Sequence, residues 1–292
     1  MKRFADPTND VAFKKIFSED NIEAIQDFIE SIITNVIDFP FSKKIKSLKF
    51  LNHDQMPNLI GGKKSLCDLK VEDDMGNIYI IEMQRKNERK YLKRIQYYAA
   101  HAIISQLESG NKHMSLFPIV TISIMGTSCF DANIPCISYH AFRETTTNKQ
   151  LLESQSHIFI ELTKLNNLCN FKGDTLEWLT LFKDASEIED IPNLHNVNVE
   201  NAYHRLEKYN WSVAELEAYT KEQIMLDIWS DSLDKAREEG EYNGKIEGKI
   251  EGKIEGKIEG KIEVAKNLLS QNIDIKIISM STGISVEEIE KL

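Results

Sequence analysis

Apolar residues near the start of the chain recur every three or four positions. Phe13, Ile16, Phe17, Ile25, Phe28, Ile29, Ile32 and Ile33 predict one or two amphipathic helices over residues 9–36, with a break at 18–21. The rhythm then changes to alternation. Residues 45–51 predict a strand, and two further strands, 66–73 and 77–84, flank Asp74, Met75 and Gly76, a three-residue loop with glycine where a left-handed conformation is needed. Helical spacing returns directly after the hairpin. Tyr91, Ile95, Tyr98, Ala99, Ala102, Ile103 and Leu107 share one face of a predicted helix over 86–108 that Ser109 and Gly110 stop. Strand patterns follow at 119–125, 136–142 and 157–162, and mostly helical text begins near Asp174, including 213–239.

This order of elements predicts an α/β fold, a mixed sheet flanked by helices, followed by a mostly helical carboxy-terminal extension. The expected organisation is a core over 1–165, a helical extension over 166–240, a repeat segment over 241–263 and a small helical module over 264–292. The repeat is GKIE, five times without change from 244 to 263. Its i,i+4 charge pairs are like with like, and each glycine costs about 1 kcal/mol in a helix relative to alanine, so a lone helix is disfavoured by roughly 5 kcal/mol. Either the segment is a flexible tether, or a partner reverses that balance. With a partner, the glycines would let a second backbone approach while the isoleucines pack, making residues 241–292 a device for a homodimer.

Strand geometry brings out the candidate chemistry. If the loop is 74–76, Asp73 pairs with Asn77 and paired residue numbers sum to 150, so Asp68 falls opposite Glu82, with Gln84 on the same face. Directly opposed Cβ atoms lie about 4.5–5.5 Å apart, and two like charges there are destabilising unless a proton or a cation separates them. Paired hard oxygen ligands suit Mg²⁺, with Mn²⁺ as the other candidate. The bland alternative is the solvated face of an antiparallel sheet. Ile78 and Ile80 share the face of Glu82, however, so it is apolar at one end and acidic at the other, which a solvated face does not require.

Charge modifies this picture locally. The net charge is −10, yet the first 100 residues hold 17 Lys/Arg against 15 Asp/Glu, so the acidity lies in the remainder. Arg85, Lys86, Arg89, Lys90, Lys93 and Arg94 place six cations within ten residues, opposed by Glu88, a patch large enough to touch several phosphates. Cys67, Cys129, Cys136 and Cys169 lack paired spacing, which reads as reduced thiols. The chain has no run of about 18 apolar residues and no apolar signal core, so it is expected to be cytoplasmic.

Asp68, then Glu82, Met83 and Gln84 at the end of the next strand, then a helix, resembles the PD-(D/E)xK nucleases. Residues 8–17 (TNDVAFKKIF), 81–84 (IEMQ) and 94–99 (RIQYYA) more closely resemble the recombination-promoting nuclease or putative transposase family. The resemblance implies a restriction-endonuclease-like core and metal-dependent DNA cleavage, linked to recombination, mobile elements or phage defence. It further implies that Asp10 is the acidic residue of the first helix, that Asp68 and Glu82 are metal ligands, and that the Met83 carbonyl completes coordination. Gln84 stands where most members of the superfamily have lysine. A glutamine can orient water or phosphate but supplies no cation, so more work falls on the metal and on Arg94, with Gln96 a weaker candidate. The competing reading is a catalytically silent nucleic-acid-binding or regulatory protein that keeps the fold. Residues 277–289 resemble the turn of a helix-turn-helix, but Glu287, Glu288 and Glu290 repel phosphate, so a protein-contact hairpin is the expectation there.

Overall fold

Asn9 starts helix α1 (Asp10–Ile16) by accepting, through its side-chain oxygen, the backbone N–H groups of Val11 and Ala12. Helix α2 (Ile22–Thr34) follows the expected break and buries Ile25, Phe28, Ile29, Ile32 and Ile33. The computed structural model describes residues 2–51, 68–86, 90–106, 116–165 and 170–292. Two units are distinct, one running to Gln223 and one from Ile224 to Leu292.

Strands β1 (Leu48–Phe50), β2 (Leu69–Asp73) and β3 (Ile78–Gln84) form an antiparallel meander. The turn between β2 and β3 is built by Asp73. Its backbone N–H donates to the Asn77 carbonyl at 3.0 Å, and its carboxylate accepts the backbone N–H groups of Met75 and Asn77. Gly76 has φ 87°, and a Cβ there would lie 2.4 Å from the Phe117 ring, so backbone conformation and space both demand glycine. Helix α3 (Tyr91–Ile104) then crosses over to β4 (Ile119–Met125), parallel to β3. Strand β6 (Gln155–Glu161) lies parallel to β4, and β5 (Ile137–Ala141) pairs antiparallel at its outer side. The strand order is β1-β2-β3-β4-β6-β5.

Alternation along the strands separates two faces. Val71, Tyr79, Ile81, Met83, Val120, Ile122, Ile124, Ile158 and Ile160 face the main core, together with α1, α2, α4 (Asp174–Asp184) and α5 (Val197–Leu206). Phe13, Phe17, Phe28, Trp178 and Phe182 form the aromatic centre of that layer. On the other face Ile78, Ile80 and Ile119 pack on Ala99 and Ala102 of α3. Residues 174–206 contribute to the same core as α1 and α2. The first unit runs to Gln223, and the side chains that cover the sheet come from both ends of it.

Helix α6 (Val213–Ser270) runs through every GKIE unit. Nothing lies within 4 Å of a Cβ built on any glycine of the repeat, and Ile246, Ile250, Ile254 and Ile258 are exposed. At 100° per residue the glycine and isoleucine rows are about 160° apart. One partner on a straight helix therefore meets one row or the other at a given level. Beyond α6, helices α7 (Ile275–Thr282) and α8 (Val286–Ile289) fold back so that Ile278 and Ile289 bury Ala265. Gly283 ends α7 in the left-handed region at φ 71°, and a capping box between Ser285 and Glu288 starts α8. The latter has four residues, too short to read a groove. No helix among the described residues is long and apolar enough to cross a membrane.

Candidate active site

The β2–β3 ladder has the register Leu69↔Ile81, Lys70↔Ile80, which continues to Asp68 opposite Glu82. Side chains replace backbone at that end of the ladder. The Asp68 N–H donates to Glu82 Oε1 at 3.1 Å, and the Met83 N–H donates to Asp68 Oδ2 at 2.9 Å. Glu82 is 4% exposed. Burial raises the carboxyl pKa of Glu82 well above its ordinary value, with the Asp68 charge adding to the shift. Burial also raises Asp68, against the Met83 N–H and the charges of Lys14 and Arg94, which pull it down. Asp10 on α1 acts on both carboxyls in the upward direction.

Gln84, 5% exposed, lies on the same face. Its amide is held at both ends: Oε1 accepts from Arg94 Nη2 at 2.6 Å, and Nε2 donates to the Lys86 carbonyl at 2.6 Å. The Arg94 guanidinium lies 5.1 Å from the centre of the Tyr91 ring, and the Tyr91 hydroxyl donates to Ser123 Oγ at 2.7 Å. The end of β4 approaches just as closely. Gly126 N–H donates to the Gln84 carbonyl at 2.9 Å, and a Cβ on Gly126 would meet the Arg85 carbonyl oxygen at 2.8 Å. Glycine at 126 is what lets β4 reach the Gln84–Arg85 peptide.

Two participants were not legible in the sequence. Lys14, one turn along α1 from Asp10, is close enough to lower the Asp68 pKa. Glu222 accepts the backbone N–H of Asp10 at 3.0 Å and of Val11 at 3.4 Å, so a carboxylate from α6 fixes the start of α1. Glu222 has its own pKa raised by burial, with Asp10 adding to the effect. The only hint of Lys14 is its i,i+4 spacing from Asp10; nothing local marks Glu222.

The basic run divides into different roles. Arg85 forms an ion pair with Asp6 at 2.7 Å and donates to Gln223 at 2.9 Å, so it is engaged within the fold. Arg94 points to Gln84, and Lys86 contributes its carbonyl. Lys90 and Lys93 are exposed at the start of α3, and Arg89 lies outside the described residues.

The donor chemistry fits one hard divalent cation. Asp68 and Glu82 each have one oxygen fixed by a backbone N–H and a second that accepts no hydrogen bond among the described residues. No group of three or more His, Cys, Asp or Glu side chains able to hold a metal occurs among the described residues. Cys129 and Cys136 instead engage Glu161, through a backbone N–H and a thiol respectively.

Residues 7–236 match the family model described as PD-(D/E)XK nuclease family transposase. No curated protein and no solved structure matches the chain.

Proposed function

From the PD-(D/E)XK nuclease family transposases, to which this chain belongs, we propose a specific activity: metal-dependent endonucleolytic cleavage of DNA at Asp68 and Glu82. The observation that carries this reading is the opposed carboxylate pair, Glu82 buried and Asp68 half-buried, with its raised pKa values. Asp68 and Glu82 would hold Mg²⁺ or Mn²⁺, with the Met83 carbonyl as a third donor and Asp10 adding negative charge nearby. The chemistry such an ion supplies is acidification of water and polarisation of a phosphoryl oxygen.

Each surrounding residue has a task consistent with its placement. Arg94 carries positive charge to the site and holds the Gln84 amide in one orientation, a defined edge against which water or a phosphate oxygen can be placed. Lys14 supplies a second cation, offsetting the charge that glutamine cannot supply. Lys90 and Lys93, with Arg89, contact the phosphate backbone, which positions a duplex without reading its sequence. The carboxy-terminal unit joins two copies. Along α6 the isoleucine row is flanked at about 100° by a lysine row on one side and a glutamate row on the other. In a parallel pair opposite flanks meet, so lysine faces glutamate; in an antiparallel pair like faces like. A parallel homodimer is thus the favoured assembly.

A supercoiled plasmid tests the activity. Nicking or linearisation is expected with Mg²⁺, but not with a chelator, nor with Glu82→Gln or Asp68→Asn. Cutting retained by both variants would place the chemistry elsewhere. Tight DNA binding with no cutting under any metal would leave a silent binding protein as the reading.

A further inference from the structure

A second feature lies on the α3 face of the sheet, toward the β5–β6 edge. Glu82, Ser123 and Phe159 occupy one row across β3, β4 and β6. Two strand spacings separate the first from the last, roughly 10 Å. Ser123, in the middle of the row, is covered by Tyr91. Phe159 forms a wall of a cavity of about 270 Å³ whose other side is Leu92, Ile95 and Gln96 of α3, the helix that carries Arg94. Carboxylate site and cavity thus share one helix and one row of the sheet.

The cavity's chemistry is aromatic and neutral. Phe130 stacks on His140 with centroids 4.9 Å apart and planes 26° apart, and both rings meet Phe159 edge-on. Phe142 stands at the rim, 57% exposed. None of the lining side chains is Asp, Glu, Lys or Arg. His157 is fixed as a neutral ring: the Gln155 amide nitrogen, a donor only, lies 2.9 Å from Nε2, which therefore accepts, and Nδ1–H then donates to Thr121 Oγ1 at 2.7 Å. Burial also pushes the His157 pKa down to about 4. Gln155 Oε1 is left as an acceptor with no partner among the described residues.

A neutral, flat-walled cavity for one ring system, with a carboxamide edge available, suits a nucleobase better than a phosphate, a sugar chain or an aliphatic tail. We propose that it holds one unpaired nucleobase of the strand whose backbone lies at Asp68 and Glu82, a placement that rests on the nuclease reading above. A base inside a duplex is enclosed by its stack, so this site takes a splayed or single-stranded nucleotide next to the scissile phosphate. Phe142 supplies a stacking face and Gln155 a hydrogen-bond acceptor.

The test compares binding of two single-stranded oligonucleotides of equal length in the presence of a chelator, one with bases and one fully abasic, by fluorescence anisotropy. The full chain should bind the base-bearing strand about tenfold more tightly. Phe142→Ala and Gln155→Leu should each shrink that preference to below about threefold while leaving abasic affinity unchanged. Phe142→Trp should retain it. Phe142 is exposed, so its variants keep the core, and an unchanged melting temperature checks this. Equal wild-type affinities, a preference untouched by Phe142→Ala, or equal loss for both strands would overturn the inference. If Mg²⁺-dependent plasmid cleavage persists in that case, the pocket assignment alone fails; if neither binding nor cleavage occurs, the nuclease reading fails with it.

Discussion

Arg94 donates to the amide oxygen of Gln84 at 2.6 Å, while the amide nitrogen of Gln84 is spent on the Lys86 carbonyl. On the proposed reading, in which Gln84 stands at the motif's lysine position, that residue is therefore not a free arm. It is a fixed surface whose orientation is set by a cation from the following helix. Gln84 and Arg94 together put a polar edge and a positive charge where a lysine would put one ammonium group.

On the proposed reading Arg94 acts through Gln84 as well as through its own charge. Arg94→Ala should lower kcat by about a hundredfold, and Arg94→Lys should recover only part, because an ammonium restores charge without the planar fork. Gln84→Lys combined with Arg94→Ala should cut better than Arg94→Ala alone. Single-turnover cleavage of a labelled duplex measures all three, and full activity of Arg94→Ala would remove the residue from the site.

The carboxylate pair predicts a pH-dependent stability of the metal-free protein. The folded-state pKa of Asp68 is raised to about 6, and that of Glu82 is raised as well, so the folded state binds more protons than the unfolded chain. The contribution of Asp68 is present below about pH 4 and is lost as pH rises through about 6, and that of Glu82 is likewise lost as pH rises through its raised pKa. Glu82→Gln should therefore melt close to wild type at pH 4.5 and above it at pH 8 with a chelator present. Added Mg²⁺ at pH 8 should raise the melting temperature of wild type and leave that of Glu82→Gln unmoved. Calorimetry across that range decides it; a gap that narrows with rising pH would reverse the sign of the argument.

Lys90 and Lys93 predict a salt effect. Replacing both with alanine should weaken DNA binding about equally for unrelated sequences and reduce the slope of log affinity against log salt by about two. Arg85→Ala should instead lower stability, since its guanidinium holds Asp6 and Gln223. Titrations at several salt concentrations, alongside urea denaturation, separate these roles. An unchanged slope in the double variant would return the patch to an ordinary solvated helix face.

Helix α6 predicts an assembly. The full chain should be dimeric by light scattering and a chain ending at Glu239 monomeric, with loss of double-strand but not single-strand cutting. Exchanging Lys and Glu throughout the repeat should preserve a parallel dimer, because lysine would still face glutamate, whereas replacing all five lysines with glutamate should abolish it. Equal oligomeric states for the full and shortened chains would discard the idea.

Local sequence settled much of this protein, because alternation and the 3.6-residue period act over a few residues. The hairpin around Gly76, its register, and hence the opposition of Asp68 and Glu82 follow from period two and a three-residue loop. Strand β4 and the buried face of α3 were equally legible. Tertiary structure alone decided the rest. Glu222 reaches the start of α1 across more than two hundred residues, and α4 and α5 close over α1 and α2, contacts that no periodicity encodes. The run from Arg85 to Arg94 is uniform as text, yet packing sends Arg85 to the half-buried Asp6 and Arg94 to the buried Gln84, partners that lie far from them in sequence or on another element.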